Sequence, residues 1–164
     1  MKTLYKQLFF ILITTIILFS DTVNFKEGKY VEALDIFTYR DGNISYESNQ
    51  TIIHYKDGKT IIKSDDNLTV HNKKGELLTT INLNERADIS LYFKLTKALF
   101  SKNFETLKEN FEIKELKDKK YLFNPKDEVK NIITTLELSL NSDETPKEFI
   151  LNFNNGDIVK IETK

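Results

Sequence analysis

Apolar and polar residues alternate at every second position through most of this chain after residue 29, in short runs separated by turn residues. Such alternation is typical of β-strands that bury one face. It predicts short strands at residues 31–39, 43–46, 51–55, 60–63, 67–71 and 76–83. Turn dipeptides follow three of the segments, at Asp41-Gly42, Asp57-Gly58 and Lys74-Gly75. The spacing is typical of an antiparallel meander.

The alternation stops between Asp88 and Phe100, where apolar residues recur at helical spacing. Asp88 is predicted to cap this helix, and Asn103 a second short helix that ends at Glu109. Strands are predicted again at residues 111–116, 121–124, 132–140, 148–153 and 158–163.

This order of elements predicts an α+β fold, mainly β, built on one antiparallel sheet. Two short helices are a small cover for about ten strands, so the sheet is expected to curl over them. The predicted architecture is a half-open antiparallel β-barrel with a short helical lid. An apolar space between sheet and lid is a common place for a ligand.

The first twenty residues differ in composition from the rest. Lys2 and Lys6 precede an uncharged run at residues 8–19, and Ser20 stands at the junction. This pattern predicts a signal peptide over residues 1–20 and a single exported domain over residues 21–164. The run is shorter than the roughly 20 residues that cross a bilayer. Leu18 matches the small-residue cleavage rule poorly, which leaves an uncleaved N-terminal anchor open.

Composition and motifs argue against several classes of function. The chain has no cysteine. Its 24 basic and 25 acidic residues give a net charge of −1, which argues against nucleic acid as a partner. His54 and His71 lack neighbours at metal-ligand spacing. Phosphate loops, nucleophile elbows and zinc-protease motifs are missing from the sequence. We therefore predict no enzymatic activity, no metal and no cofactor; a hydrolase would need a nucleophile and a base brought together by the fold.

The aromatic residues of the predicted helix point to a ligand-binding lid. Its apolar arc is wider than contact with one sheet requires, although aromatic residues also fill the cores of such sheets. Which face of each strand points inward stays open, because a one-residue slip in register reverses it. The candidate cleft residues are Leu34, Ile36, Ile44, Tyr46, Tyr92, Phe93, Leu99 and Phe100.

The order of segments resembles a known family. An apparent leader is followed by the segments at residues 29–34, 41–46, 51–55 and 59–70, then by Tyr92-Phe93, Phe104 and Phe111, and finally by residues 121–126 and Asn155-Gly156-Asp157. This order is similar to that of the LolA-like outer-membrane lipoprotein carriers, and closer to the shorter, divergent branch of that superfamily. The resemblance spans about residues 29–164.

The resemblance implies a half-open barrel whose concave apolar face is closed by helices. It also implies a monomer in the periplasm of a Gram-negative bacterium that takes acyl chains of lipoproteins from an inner-membrane ABC transporter and hands them to an outer-membrane receptor. Two departures from the typical carrier stand out, and the first concerns lid closure. Ile53-His54 stand where the typical carrier has an Arg-Trp pair, and only residues 21–28 are left for its N-terminal helix.

The sequence therefore predicts a periplasmic carrier or chaperone that binds acyl chains of lipoproteins, or other acylated lipids, for transfer towards the outer membrane. The alternative from a different class is a periplasmic, non-catalytic protein-interaction module whose sheet is filled by its own side chains.

Overall fold

The computed structural model describes residues 21–47 and 49–164. The predicted signal peptide at residues 1–20 lies outside the described residues. In the described part, eleven strands and one α-helix follow one another along the chain. The strands are β1 (Asp21–Val31), β2 (Ile36–Tyr46), β3 (Gln50–Tyr55), β4 (Thr60–Ser64), β5 (Asn67–His71), β6 (Leu77–Asn82), β7 (Phe111–Glu115), β8 (Lys120–Pro125), β9 (Ile133–Leu140), β10 (Pro146–Phe153) and β11 (Ile158–Thr163). The helix is α1 (Ala87–Phe100).

All eleven strands form one antiparallel sheet, in the order β6-β5-β4-β3-β2-β1-β11-β10-β9-β8-β7. Two meanders, β1–β6 and β7–β11, are joined where β11 pairs with β1, from Phe25↔Thr163 to Tyr30↔Ile158. The sheet is curled and unclosed. Helix α1 connects the meanders in sequence, and its Leu91, Leu95 and Leu99 belong to the buried core. The prediction of a mainly β fold built on a curled antiparallel sheet is confirmed.

The prediction of a first hairpin turn at Asp41-Gly42 is wrong. Strand β2 runs through both residues, and Gly42 pairs with Phe25 on one side and with Tyr55 on the other. The turn lies instead at a 3-10 helix, Glu32–Leu34, that ends at Asp35 with a left-handed backbone (φ 50°). Glycine at position 42 has a packing reason: a Cβ there would lie 2.7 Å from the carbonyl oxygen of His54 and 3.0 Å from the ring of Phe25.

The lid also differs in detail from the prediction. It contains one α-helix, which begins at Ala87 with Arg86 as its N-cap residue, so Asp88 lies in the first turn. The predicted second helix is a short 3-10 helix, Phe104–Leu107, in which Asn103 makes no side-chain capping hydrogen bond. Residues 21–28, which the resemblance left for an N-terminal helix, belong to strand β1.

Within residues 21–47 and 49–164, no helix has the length and apolar character needed to span a bilayer.

Candidate functional site

An open cavity of about 530 Å³ lies between the N-terminal half of α1 and the concave face of the sheet. We call it the cleft. Its volume falls in the range of small-molecule sites, about 300–1,000 Å³. Twelve of its twenty lining residues are apolar or aromatic: Ile53, Tyr55, Ile61, Leu68, Val70, Ile81, Ile89, Tyr92, Phe93, Ile132, Phe153 and Val159.

The floor of the cleft follows from strand register. Ile53 on β3 lies opposite Ile61 on β4, and Ile61 lies opposite Val70 on β5. Leu68 on β5 lies opposite Ile81 on β6. Residues opposite one another in an antiparallel pair share a face of the sheet, so these side chains form two apolar rows across neighbouring strands.

Helix α1 forms the roof, and its two ends are packed differently. Ile89, Tyr92 and Phe93 line the cleft from the N-terminal half, at the i, i+3 and i+4 spacing that puts side chains on one face. At the C-terminal end, the ring of Phe100 packs 5.7 Å from that of Phe149 and 6.2 Å from that of Tyr46, measured between ring centroids. The roof is therefore anchored at its C-terminal end and stands over open space at its N-terminal end.

Two phenols and one carboxylate place polar groups on this apolar surface. The hydroxyl of Tyr55 donates a hydrogen bond to Oε2 of Glu27, and the guanidinium of Arg40 lies 5.4 Å from the Tyr55 ring centroid. Burial raises the pKa of Tyr55 well above its usual value, and the Glu27 carboxylate adds to the shift. Burial likewise raises the pKa of Tyr92, with Glu27 the next contributor. Both phenols are therefore neutral at physiological pH.

The remaining lining residues are polar and mostly exposed, and we call them the polar collar: Lys29, Arg86, Asp88, Asn131, Asn154, Asn155 and Asp157. Arg86 and Asp88 form a bidentate pair, with Nε–Oδ1 at 3.0 Å and the second contact at 2.8 Å. The Arg86 guanidinium holds the pKa of Asp88 below its usual range. The collar carries two positive and two negative side chains, and Glu27 beneath it adds a third negative one.

A second, polar groove of about 400 Å³ shares only Phe93 with the lining of the cleft. Three lysines border it, Lys63, Lys94 and Lys97. Nζ of Lys63 donates to the carbonyl oxygen of Asp65, and Nζ of Lys94 donates to Asn110. Nowhere in the described residues do three or more His, Asp or Glu side chains group in a way that could hold a metal ion.

The predicted site residues fall into three places. Tyr92 and Phe93 line the cleft. Leu34 and Ile36 lie at the far end of the β1–β2 hairpin and are 65% and 48% exposed. They protrude because β2 pairs with β3 only from Gly42 onwards. The other four belong to the packed core or border it: Ile44, Tyr46, Leu99 and Phe100. Contact of all eight with a ligand stays a prediction.

Sequence reasoning missed the floor residues on β4–β6. The alternation of residues 60–63 and 67–71 marks them as half-buried strands, and this is the signal that could have found Ile61, Leu68 and Val70. Only the pairing of β4, β5 and β6 with their neighbouring strands shows which of the two alternating sets of side chains points into the cleft.

The fold and the cleft together define an open antiparallel sheet with an apolar cavity between it and helix α1. No protein-family model matches the sequence. No curated protein matches it significantly.

Three solved structures are similar to this chain at low identity. A LolA superfamily protein from Nitrosomonas europaea is 10% identical, with a TM-score of 0.37 over 87% of this chain and 83% of the other. A putative outer membrane lipoprotein-sorting protein domain from Vibrio parahaemolyticus is 7% identical, with a TM-score of 0.35 over 87% and 82%. The lipoprotein LppX from Mycobacterium tuberculosis is 12% identical, with a TM-score of 0.42 over 88% and 85%. The first of these names is that of a LolA superfamily protein, and LolA-like carriers are the family that the order of segments resembles. These likenesses are distant, so a function for this chain has to be inferred from the cleft.

Proposed function

We propose that this protein is a non-catalytic carrier that binds the acyl chains of lipoproteins, or of other acylated lipids, in the cleft and releases them intact. The observation that carries the proposal is the cleft itself, an apolar cavity of about 530 Å³ between sheet and helix. Its floor residues Ile61, Val70 and Ile81 are only half-buried, so apolar surface there lacks a protein partner. A hydrocarbon chain would supply that partner.

The energy available is sufficient for reversible binding. Each methylene group moved from water into an apolar site contributes about 0.8 kcal/mol. Ten buried methylenes therefore give on the order of 8 kcal/mol, from which the cost of immobilising the chain is subtracted. A carrier needs such intermediate affinity, because it must give up its cargo.

Entry and exit would require the N-terminal half of α1 to move. That half stands over the cleft, whereas the C-terminal half is anchored by Phe100 against Phe149. Movement of a lid element commonly sets the rate of exchange with solvent or with a partner. The proposed motion turns about the packed end and opens the side bordered by Arg86 and Asp88.

The cellular setting is also part of the proposal. The resemblance of the sequence to LolA-like carriers supports a periplasmic location, an inner-membrane ABC transporter as donor and an outer-membrane receptor as acceptor. The rival interaction module requires a core filled by its own side chains, and the cleft counts against that requirement.

A cavity-filling pair of variants tests the proposal. The full chain, expressed in a bacterial host and purified without detergent, is extracted for lipid mass spectrometry and titrated with Nile red, a neutral apolar dye. We expect about one lipid per protein. Val70→Phe should lower dye affinity more than about tenfold, since the ring occupies the cleft.

Thr69→Phe is the matched control, because Thr69 is the neighbour of Val70 on the same strand and points to the opposite face. It should bind the dye like the unmodified protein. A lipid-free protein that also ignores Nile red would overturn the carrier proposal and favour the interaction module. Unchanged binding by a folded Val70→Phe variant would remove the cleft as the site.

A further inference from the structure

We propose that the cleft takes an amphiphile with a single acyl chain and an uncharged or zwitterionic head, rather than a two-chain or anionic lipid. This inference rests on the proposed carrier function and narrows its cargo. Two independent observations carry it: the volume of the cleft, which sets the number of chains, and the charges around the mouth, which select the head.

A cavity of known occupancy gives a scale for the volume of the cleft. An apolar cavity of about 150 Å³ accepts one benzene molecule, or about 25 Å³ per carbon atom. At that density, the cleft's 530 Å³ holds about twenty carbons. One long acyl chain with the start of its head group fills such a space. A second chain of equal length would be left outside, where each exposed methylene costs about 0.8 kcal/mol.

In the described residues, the apolar cleft does not continue under the C-terminal half of α1, and the second groove beside the helix is polar. Beyond the cleft, α1 is packed down by Leu95 and Leu99, which are 1% and 0% exposed. Phe111 and Phe123 fill the space under the C-terminal meander, with ring centroids 6.2 Å apart. Extension of the cleft in that direction would have to displace a close-packed core.

The polar collar determines which head groups suit the mouth of the cleft. Its guanidinium, Arg86, is already engaged by both oxygens of Asp88. The other cation is Lys29, and it shares the lining with Asp157 and Glu27. The lining as a whole thus carries two positive and three negative side chains, which disfavours a net anion at the mouth.

The collar offers instead a set of neutral hydrogen-bonding groups. Asn131 and Asn155 present amides at the mouth. Oδ1 of Asn155 already accepts from the backbone N–H of Asp157 at 3.1 Å, so this amide offers a head group its NH2 donors. Oδ1 of Asp157 accepts from the backbone N–H of Glu32 at 3.1 Å, which fixes this part of the collar to the first hairpin turn. Hydroxyl, ester and amide groups of a neutral head match such partners, and a trimethylammonium group matches the acidic side chains.

Competition against Nile red separates the two parts of the inference. The competitors share one C16 chain and differ in the head: monopalmitoylglycerol is uncharged, palmitoyl-lysophosphatidylcholine is zwitterionic, and palmitoyl-lysophosphatidylglycerol is anionic. Dipalmitoylphosphatidylcholine tests the second chain. All are used below their aggregation limits or from vesicles of stated composition, at low ionic strength.

We expect the uncharged and zwitterionic single-chain amphiphiles to bind one per protein, and the anionic one about tenfold more weakly. Asp157→Asn should reduce that tenfold difference, as should high salt. The diacyl lipid should fail to displace the dye. Equal binding of the diacyl lipid would overturn the single-chain assignment.

Equal or tighter binding of the anionic amphiphile would overturn the head-group assignment. If Lys94→Gln and Lys97→Gln then weakened binding of the anionic amphiphile, its head group would lie in the second, polar groove instead. These outcomes differ from failure of the carrier function, in which no amphiphile would bind and Val70→Phe would change nothing.

Discussion

At the scale of single residues, an apolar side chain in this protein has one of three environments. Leu136 and Leu151 are completely buried in the sheet's core, Ile61 and Val70 are half-buried at the cleft, and Leu34 is exposed at the hairpin end. All five side chains are aliphatic, so the environment decides whether each is expected to contribute to stability, to the proposed binding or to neither.

Truncation of buried and exposed leucines should separate the first and last environments. Leu136→Ala should lower the free energy of unfolding by about 3 kcal/mol, because it removes transfer energy and leaves a cavity in a packed core. Leu34→Ala should change it by less than about 0.5 kcal/mol. Urea denaturation followed by circular dichroism measures both. Comparable losses from the two variants would contradict this division.

The ion pair at the mouth of the cleft should make stability depend on pH. The pKa of Asp88 is lowered in the folded protein, chiefly by its hydrogen bond to Arg86. Its contribution is therefore fully present above the usual aspartate pKa of about 3.9 and is lost as the pH falls through the lower folded value. The pair is about half exposed and lies in the first turn of α1, so we expect on the order of 0.5 kcal/mol.

The measurement is the difference in unfolding free energy between the unmodified protein and Asp88→Asn. It should be constant from pH 7 to about pH 5 and should vanish near pH 2. A difference that persists undiminished in acid would show that the carboxylate charge is not responsible.

At the scale of elements, the close approach of β2 and β3 explains why a glycine, Gly42, lies in the middle of the continuous strand β2. Gly42 lies inside β2, where its missing side chain leaves room for the Phe25 ring on the inner face. The dipeptide Asp41-Gly42 is a common turn sequence, but here the glycine serves packing between neighbouring strands.

Gly42→Ala should therefore destabilise the protein by about 1–3 kcal/mol, because the new Cβ would meet a backbone carbonyl at 2.7 Å. Gly75→Ala is the comparison: a Cβ at position 75 meets nothing within 4 Å, and only its positive φ of 81° opposes the change. Thermal unfolding compares the two variants. A Gly42→Ala protein as stable as the unmodified one would mean that β3 can move away from β2.

At the scale of the whole molecule, the two meanders contribute unequally to the core. The C-terminal meander supplies fully buried residues such as Ile133, Phe149 and Leu151, whereas the cleft is floored mainly by β3–β6 of the N-terminal meander. Helix α1 lines the cleft over β3–β6 with its N-terminal half, and its Phe100 packs against Phe149 of the C-terminal meander. Among the described residues, the cleft is an apolar part of the concave face that no other element covers.

Occupancy of the cleft should consequently stabilise the entire fold. A ligand that binds only the folded state at 100 times its Kd adds about 2.7 kcal/mol to the free energy of unfolding. Monopalmitoylglycerol should raise the Tm of the unmodified protein and of Thr69→Phe, but not that of Val70→Phe. A rise in Tm for Val70→Phe equal to that of the unmodified protein would place the ligand outside the cleft.

The sequence by itself determined most of the strands, the antiparallel meanders and the position of α1, but it left out β1 and divided β2 at Asp41-Gly42. These features depend on local patterns: alternation of period two, turn residues and the helical recurrence between Asp88 and Phe100. Tyr92 and Phe93 were predicted from a local pattern too, because the spacing of apolar residues along a helix shows which of its faces is buried.

Only the tertiary structure decided where the cleft lies and what forms its floor. Whether Ile61 and Val70 point inward depends on the register of β3–β5, because a shift of one residue reverses every side chain on a strand. The role of Gly42 depends on a neighbouring strand, and the join of β1 to β11 brings together residues more than a hundred positions apart. Such contacts are set by packing across the whole sheet, which no local pattern contains.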